Sequence, residues 1–446
     1  MDTNLIDRYG GAVPRYTSYP TAPHFHEGVS EQTYRGWLNA LTDAEPISFY
    51  FHVPFCAAMC WYCGCHTKVV NRYQPIHDYA MTLGREIELI AEAIPARPKI
   101  SHVHWGGGTP TMLAAEDFAA LMEDLLKRFT VAEDAELAVE IDPRTLTEEM
   151  AWTLANAGIN RVSLGVQDFN PTVQAAINRV QSYEVTDQAV GWLREAGISA
   201  INLDLMYGLP HQGVAEVIGT IDRAMDLSPD RLSLFGYAHV PWMKTHQKMI
   251  DENALPDAGE RWRHAEAAAR RLAEHGFQRI GLDHFARADD GLAVALKNGD
   301  VRRNFQGYTT DRASALIGLG ASSIGSLPQG YVQNTPSLRE YRRAIESGKL
   351  AIRKGLELTP DDKLRREIIE RLMCDLVVDL AEFTGAPEHR FDEELAALKP
   401  MADDGLLAID GGRIVMSETG RPFVRTACAV FDTYLHTGKA RHSQAV

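Results

Sequence analysis

The chain lacks several things, and each absence narrows its function. No apolar run approaches the about 18 residues a helix needs to cross a bilayer, so no membrane segment is expected. The first seven residues, MDTNLID, carry neither a basic start nor an apolar stretch, so the expected compartment is the cytoplasm. Cations are outnumbered, 45 Lys and Arg against 60 Asp and Glu, for a net charge of −15. A general binder of phosphate backbones would read basic, so nucleic acid is not an expected partner. Cysteine is scarce, at six in 446 residues. No internal repeat and no low-complexity tract appears. What remains is ordinary for a folded chain: 45 % apolar and 24 % charged residues exclude a disordered or collagen-like polymer. The length allows two or three domains.

The few cysteines are unevenly spent. Cys56, Cys60, Cys63 and Cys65 fall within ten residues, while Cys374 and Cys428 stand alone in apolar helical stripes that predict core positions. In a reducing compartment a tight cysteine cluster reads as metal binding or catalysis. The spacing C-x₃-C-x₂-C follows a predicted strand, and three thiolates on one loop can hold three irons of a cubane, leaving the fourth open. A structural zinc loop is the alternative, with His52 or His66 completing it. Zinc loops usually carry a second cysteine pair downstream, and none is present.

Around this loop runs a regular rhythm. Predicted strands are Ile47–Val53, Ile100–Trp105, Glu136–Ile141, Arg161–Val166, Ala200–Leu205 and Arg231–Tyr237. Amphipathic helical patterns lie between them at 76–93, 115–128, 146–157, 184–196 and 214–226. Six βα units in series predict a parallel sheet with helices outside it, an α/β partial (β/α)6 barrel. In a barrel the C-terminal strand ends carry the active site, so Glu140, Gln167, Asp204 and Ala238 are expected around one mouth. For each, a salt bridge or cap is the competing reading. The pattern also predicts a helix at 258–275, a strand at Gln278–Gly281 and a glycine-rich stretch at 305–330. Beyond it come helices at 359–383, 390–401 and 421–437, with a hairpin around Asp410-Gly411-Gly412. The last order is winged-helix-like. Residues 359–420 hold fifteen acidic and seven basic residues, which argues for a substrate-side wall and against a DNA reader. The expected division is an N-terminal arm or lid at 1–46, a catalytic domain at 47–350 and a C-terminal substrate-side domain at 351–446.

The cysteine motif, with Tyr62 before its last ligand, is similar to that of the radical S-adenosylmethionine (SAM) superfamily. Further motifs resemble one family within it, the oxygen-independent coproporphyrinogen III oxidases. These are PRYTSYPTA (14–22), the CGC ending at 63–65, HWGGGTPT (104–111), GVQDFN (165–170), DLMYGLP (204–210), GLDHFA (281–286) and RNFQGYTT (303–310). The resemblance runs nearly end to end.

It implies one [4Fe–4S] cluster on Cys56, Cys60 and Cys63, with SAM on the open iron. One-electron cleavage of SAM would give a 5′-deoxyadenosyl radical that takes a propionate β-hydrogen. It implies two SAM molecules, with Tyr50, Gly107, Glu140 and Ile324 near the first. Tyr62, Gly108, Thr109, Gln167, Arg179, Asp204 and Ala238 match positions near the second. Cys65 is implied to be essential without being a ligand. The implied substrate is coproporphyrinogen III, two of whose propionates become vinyl groups, giving protoporphyrinogen IX. Local cations must meet those carboxylates, and Arg15, Arg302 and Arg303 are the candidates, Arg303 in a catalytic role. Tyr16 and Tyr19 are expected either to cover the macrocycle or to pack structurally. A reductant such as flavodoxin or ferredoxin and a monomeric state complete the expectations. Another tetrapyrrole substrate, or a haem carrier that keeps the cluster, is the alternative function.

Overall fold

The computed structural model describes residues 3–383 and 391–435. Six parallel strands stand in sequence order in one sheet: β1 (Ile47–Val53), β2 (Ile100–Gly107), β3 (Val131–Ile141), β4 (Arg161–Gln167), β5 (Ala200–Tyr207) and β6 (Arg231–Gly236). Their β-branched and aromatic runs are buried on both faces, as parallel strands require; β1 buries six of its seven residues. Helices α1 (Gln74–Ala93), α2 (Ala115–Arg128), α3 (Glu148–Asn156), α4 (Tyr183–Glu195) and α5 (Val214–Asp226) connect them. The Thr147 hydroxyl accepts from the Met150 amide and starts α3 two residues later than the periodicity suggests. Helix α6 (Ala258–Glu274) follows β6. The core lies between sheet and helices, where Trp105 stacks on Phe51 at 4.0 Å between ring centroids and meets Phe118 of α2.

The sheet is wider than the six-strand rhythm. Beyond β6 it continues through β8 (His284–Ala286) to β7 (Gln278–Ile280), both antiparallel additions. On the opposite edge β1 pairs in parallel with β9 (Ala315–Leu319), Ile47 facing Ala315. Antiparallel strands β10 (Ile324–Leu327), β11 (Gly330–Asn334) and β12 (Ile352–Glu357) extend that side. The twelve strands end at β12 and β7, so the barrel is partial. Among the described residues no helix is long and apolar enough to cross a membrane.

The C-terminal unit is mostly helical, with α7 (Pro360–Asp375), α8 (Asp392–Asp403), α9 (Val424–Ala429) and a three-stranded antiparallel sheet of Val377–Asp379, Leu407–Asp410 and Arg413–Met416. The helix expected over 359–383 stops at Asp375, because Leu376 turns left-handed (φ 60°) and Val377–Asp379 joins the small sheet. The helix expected over 421–437 is a short turn plus α9, and residues 436 and 437 lie outside the described residues. Cys374 and Cys428 are buried, as expected of core thiols.

Tyr16 and Tyr19 pack as the structural alternative expects. Both are buried in the C-terminal unit's apolar cluster. The Tyr16 hydroxyl bonds Asp432 at 3.1 Å, and Tyr19 meets Thr433 at 3.0 Å. Both also line a groove of about 410 Å³ with Arg302, Arg303 and Phe305. Arg15, between them and the barrel, donates to the Gly236 carbonyl at 3.4 Å.

Candidate active site

The cysteine loop leaves the C-terminal end of β1 and is tied down along its length. Phe55 and Cys56 pair with Lys68 and Val69. The Trp61 amide donates to Ile177 and the Asn178 amide side chain to Met59. From the segment after β6, Gln247 donates to the Tyr62 carbonyl, His246 meets the Cys63 carbonyl at 2.7 Å and Lys244 donates to Cys65 at 2.9 Å. No sequence motif announced that second clasp.

Each expected ligand sulfur receives a donor. The Thr109 hydroxyl points at Cys56 Sγ from 3.8 Å. The Arg179 and Arg144 guanidiniums point at Cys60 Sγ from 3.5 and 3.6 Å. The Cys65 amide points at Cys63 Sγ from 3.4 Å. Hydrogen bonds from Cys65 pull the Cys63 thiol down to about 6, whereas burial pushes Cys56 up to about 11; the hydrogen bond to Cys63, and then burial, raise Cys65. Among the described residues no three His, Cys, Asp or Glu side chains converge on a single ion. A cubane asks for something else, since each thiolate meets a different iron. Three sulfurs on one loop, every one aimed at by a donor, fit such a cluster, because those donors stabilise thiolate charge.

Asp142 holds the two arginines in place. Arg144 chelates it, at 2.6 Å for the closest contact, and Arg179 reaches it at 3.3 Å. Burial opposes the Asp142 charge, yet these arginines keep it below the usual carboxylate range. Asp142 and Arg144 were missed in the sequence, although both follow Glu140 closely in EIDPR at the end of β3. Gln167 ends β4 with φ at +71°, where the register with β5 shifts, and strained non-glycine backbone of this kind gathers at functional sites.

The glycine turn after β2 lies against the cysteine loop. The Gly108 amide donates to Val53 and the Thr109 amide to Phe55, each at 2.8 Å. The Gly107 amide donates to Glu140 Oε2 at 3.2 Å, and His104 meets Oε1 at 3.1 Å. Burial works against ionised Glu140, but His104 and the Gly107 amide hold it below its ordinary value. Asp204 shifts the opposite way: burial raises it, and the Glu140 charge adds to that against bonds from Ser163 and Asn202. Two carboxylates with opposed shifts mark a site with divided roles.

Cys65, Glu140 and Asp204 line one cavity of about 290 Å³ with His104, His284 and Gln306. Glu140 keeps 37 % of its side chain exposed, and that exposure opens into this cavity. Tyr50 stands at its edge, stacked on His104 with centroids 6.0 Å apart. Tyr62 packs in an apolar cluster beside the loop with Tyr237. Ala238 lines a second, adjoining cavity of about 320 Å³, together with Arg15 and Arg303. Ile324 lies apart from both, in an apolar cluster with Phe25, Phe305 and Tyr331. Arg302 and Arg303 diverge because neighbours on a strand face opposite ways. Arg303 is buried over the Tyr308 ring at 4.3 Å, whereas the Arg302 guanidinium is tied to Glu370 at 3.5 Å, and both line a further groove.

Comparison with known proteins decides the family. Residues 50–224 match the family model of the radical SAM superfamily, and residues 358–423 match that of the HemN C-terminal domain. The oxygen-independent coproporphyrinogen III oxidase of Bradyrhizobium diazoefficiens is 51 % identical over the full length of both chains. The chain belongs to the oxygen-independent coproporphyrinogen III oxidase family. Its Escherichia coli relative of the same name is 39 % identical over 99 % of this chain and 97 % of that one. The solved Escherichia coli coproporphyrinogen III oxidase, described as a radical SAM enzyme, superposes with a TM-score of 0.90 at 37 % identity, covering 97 % of this chain and 99 % of that one. Membership of this family carries with it a [4Fe–4S] cluster and SAM as cofactors.

Proposed function

We propose that this chain is an oxygen-independent coproporphyrinogen III dehydrogenase, converting two propionates of coproporphyrinogen III to vinyl groups and giving protoporphyrinogen IX. The observation that carries this reading is full-length kinship at 51 % identity with a coproporphyrinogen III oxidase, joined to three ligand sulfurs that each meet a donor. Cys56, Cys60 and Cys63 hold the cluster. Bound there, cluster and SAM supply hydrogen-atom abstraction at carbon, driven by one electron. Each reacting propionate then loses one β-hydrogen atom, CO₂ and one electron, the last passed to an external one-electron acceptor.

The protein's part is position and charge. Glu140, held ionised, faces the cations of SAM in the cavity that Asp204 also lines. Tyr50, Gly107 and Ile324 serve the first SAM site. Tyr62, Gly108, Thr109, Gln167, Arg179, Asp204 and Ala238 serve a second. Cys65 lines the reaction cavity without binding iron. Arg303 takes a substrate carboxylate. A one-electron reductant such as flavodoxin or ferredoxin feeds the cluster of a monomer. The oxygen-labile cluster suits the cytoplasm. The parts are an arm at 1–46, a catalytic domain at 47–350 and a substrate-side domain at 351–446.

The test is anaerobic incubation of cluster-loaded protein with SAM, reductant and coproporphyrinogen III. Protoporphyrinogen IX and two CO₂ per substrate are expected. Stoichiometric haem binding with neither product would identify a carrier instead.

A further inference from the structure

The second cavity carries an unusual charge. Five arginines line it, Arg15, Arg261, Arg279, Arg303 and Arg425, against one carboxylate, Asp283. They come from separate parts of the chain: the arm, α6, β7, the strand Arg302–Asn304 and α9. Two of them meet only carbonyls among the described residues: Arg261 donates to the Tyr237 carbonyl at 2.6 Å and Arg15 to Gly236. A carbonyl satisfies a donor but cancels no charge. Asp283 stands 3.9 Å from Arg303, and Glu266 stands 3.6 Å from Arg279. Arg261 Nε, Arg279 Nε and two nitrogens of Arg303 are buried without any acceptor.

Buried cations of this kind are costly unless an anion joins them. Burial pushes Arg261, Arg279 and Arg425 below the ordinary arginine value, and Arg15 presses further on Arg425. The walls between the guanidiniums are aromatic, including Phe235 and Trp262. An aromatic slot lined by guanidiniums that still hold free donor nitrogens, on Arg261, Arg279 and Arg303, fits an apolar ring body that bears several carboxylates.

This slot adjoins the reaction cavity. Phe235 lines both, and Asp283 of one is bonded at 2.8 Å to His284 of the other. We propose that the arginine cavity is a carboxylate clamp: Arg261 and Arg279, with Arg303, grip the propionates that are not reacting and so aim the reacting one at the cavity of Glu140 and Asp204. This rests on the function proposed above and names the residues that position its substrate. Arg261 and Arg279 are positioning residues.

The experiment measures fluorescence quenching by coproporphyrin III and by its tetramethyl ester, on anaerobic cluster-loaded protein. A site built to bond carboxylates rejects analogues in which they are masked. The wild-type protein is expected to prefer the tetra-acid by at least 100-fold. Arg261→Gln and Arg279→Gln should each lose at least ten-fold of that preference, and Arg279→Lys should keep more of it than Arg279→Gln. Equal binding of acid and ester by the wild-type protein overturns the clamp without recourse to any variant. So does full preference in both glutamine variants. Product formation by the wild-type protein is scored separately. Turnover without acid preference removes the clamp and leaves the function, and acid preference without turnover does the reverse.

Discussion

Replacing Gly108 with alanine isolates how closely the glycine turn must approach the cysteine loop. A Cβ at Gly108 would lie 2.5 Å from the Phe55 carbonyl oxygen, 2.8 Å from its nitrogen and 2.9 Å from its carbonyl carbon. All three are backbone atoms, so no flexible side chain can yield. Ordinary contact begins near 3.4 Å, so the strand residue just before Cys56 must retreat by about 0.9 Å. That exceeds the roughly 0.5 Å within which a constellation of functional groups must be held. Overpacking of this size costs about 1–3 kcal/mol. In a chain this long it should lower Tm by roughly 2–6 °C. Gly64, between Cys63 and Cys65, provides the control, since a Cβ there meets nothing within 4 Å. After anaerobic reconstitution, Gly108→Ala should hold less than half the wild-type iron, with a lowered Tm, while Gly64→Ala should match wild type in both. Equal iron and equal Tm in the two variants would refute the argument that the turn sets the position of Cys56.

Three further outcomes follow from the geometry. Cys56→Ala, Cys60→Ala and Cys63→Ala should each lose the cluster by iron and sulfide analysis, whereas Cys65→Ala should keep it and lose turnover; iron loss in the last would make Cys65 a ligand. Glu86 of α1 is buried among the Gly320 amide, Asn334 and Tyr341, and burial pushes it up to about 7. Its folded value exceeds its unfolded one, so stability should fall as pH rises from about 4.5 to about 7, by about 3 kcal/mol at most. Urea unfolding of Glu86→Gln across that range should show a flattened profile, and an unchanged slope would contradict it. Tyr19→Ala removes a ring buried against the C-terminal unit and should cost about 3 kcal/mol, read as faster proteolysis between 360 and 435.

The parallel strands and their helices were legible because each strand is a short run rich in aliphatic or aromatic residues and each helix keeps one apolar stripe. The extra strands were not. The stretch at 305–330 reads as loop because of its glycines, yet Gly318 sits in β9, where a Cβ would strike the Ile324 carbonyl at 2.7 Å. Glycine there permits close strand approach, a requirement that looks like a turn signal in one dimension. Glu140, Asp204 and the cysteines were readable from their place at strand ends. Arg261, Arg279 and Arg425 were not, since each is an unremarkable arginine in its own helix or strand. Only folding brings them within one cavity, with residues as distant as Arg15 and Arg425. Arg302 and Arg303 show the same limit at short range, as one strand turns them to different surroundings.

The pairing of β1 has a consequence for synthesis on the ribosome. One edge of β1 is satisfied by β2 as soon as residues 100–107 emerge, but the other must wait for β9, ending at Leu319. At roughly 5–20 residues per second, that wait lasts roughly 15–50 s. Throughout it, the strand carrying the cysteine loop offers an unpaired edge to other chains. The loop also lacks Lys244, His246 and Gln247 until they too are made. The loop therefore gains its full set of contacts only late in synthesis. A chain whose synthesis halts before residue 315 presents an adhesive strand beside four oxidisable thiols.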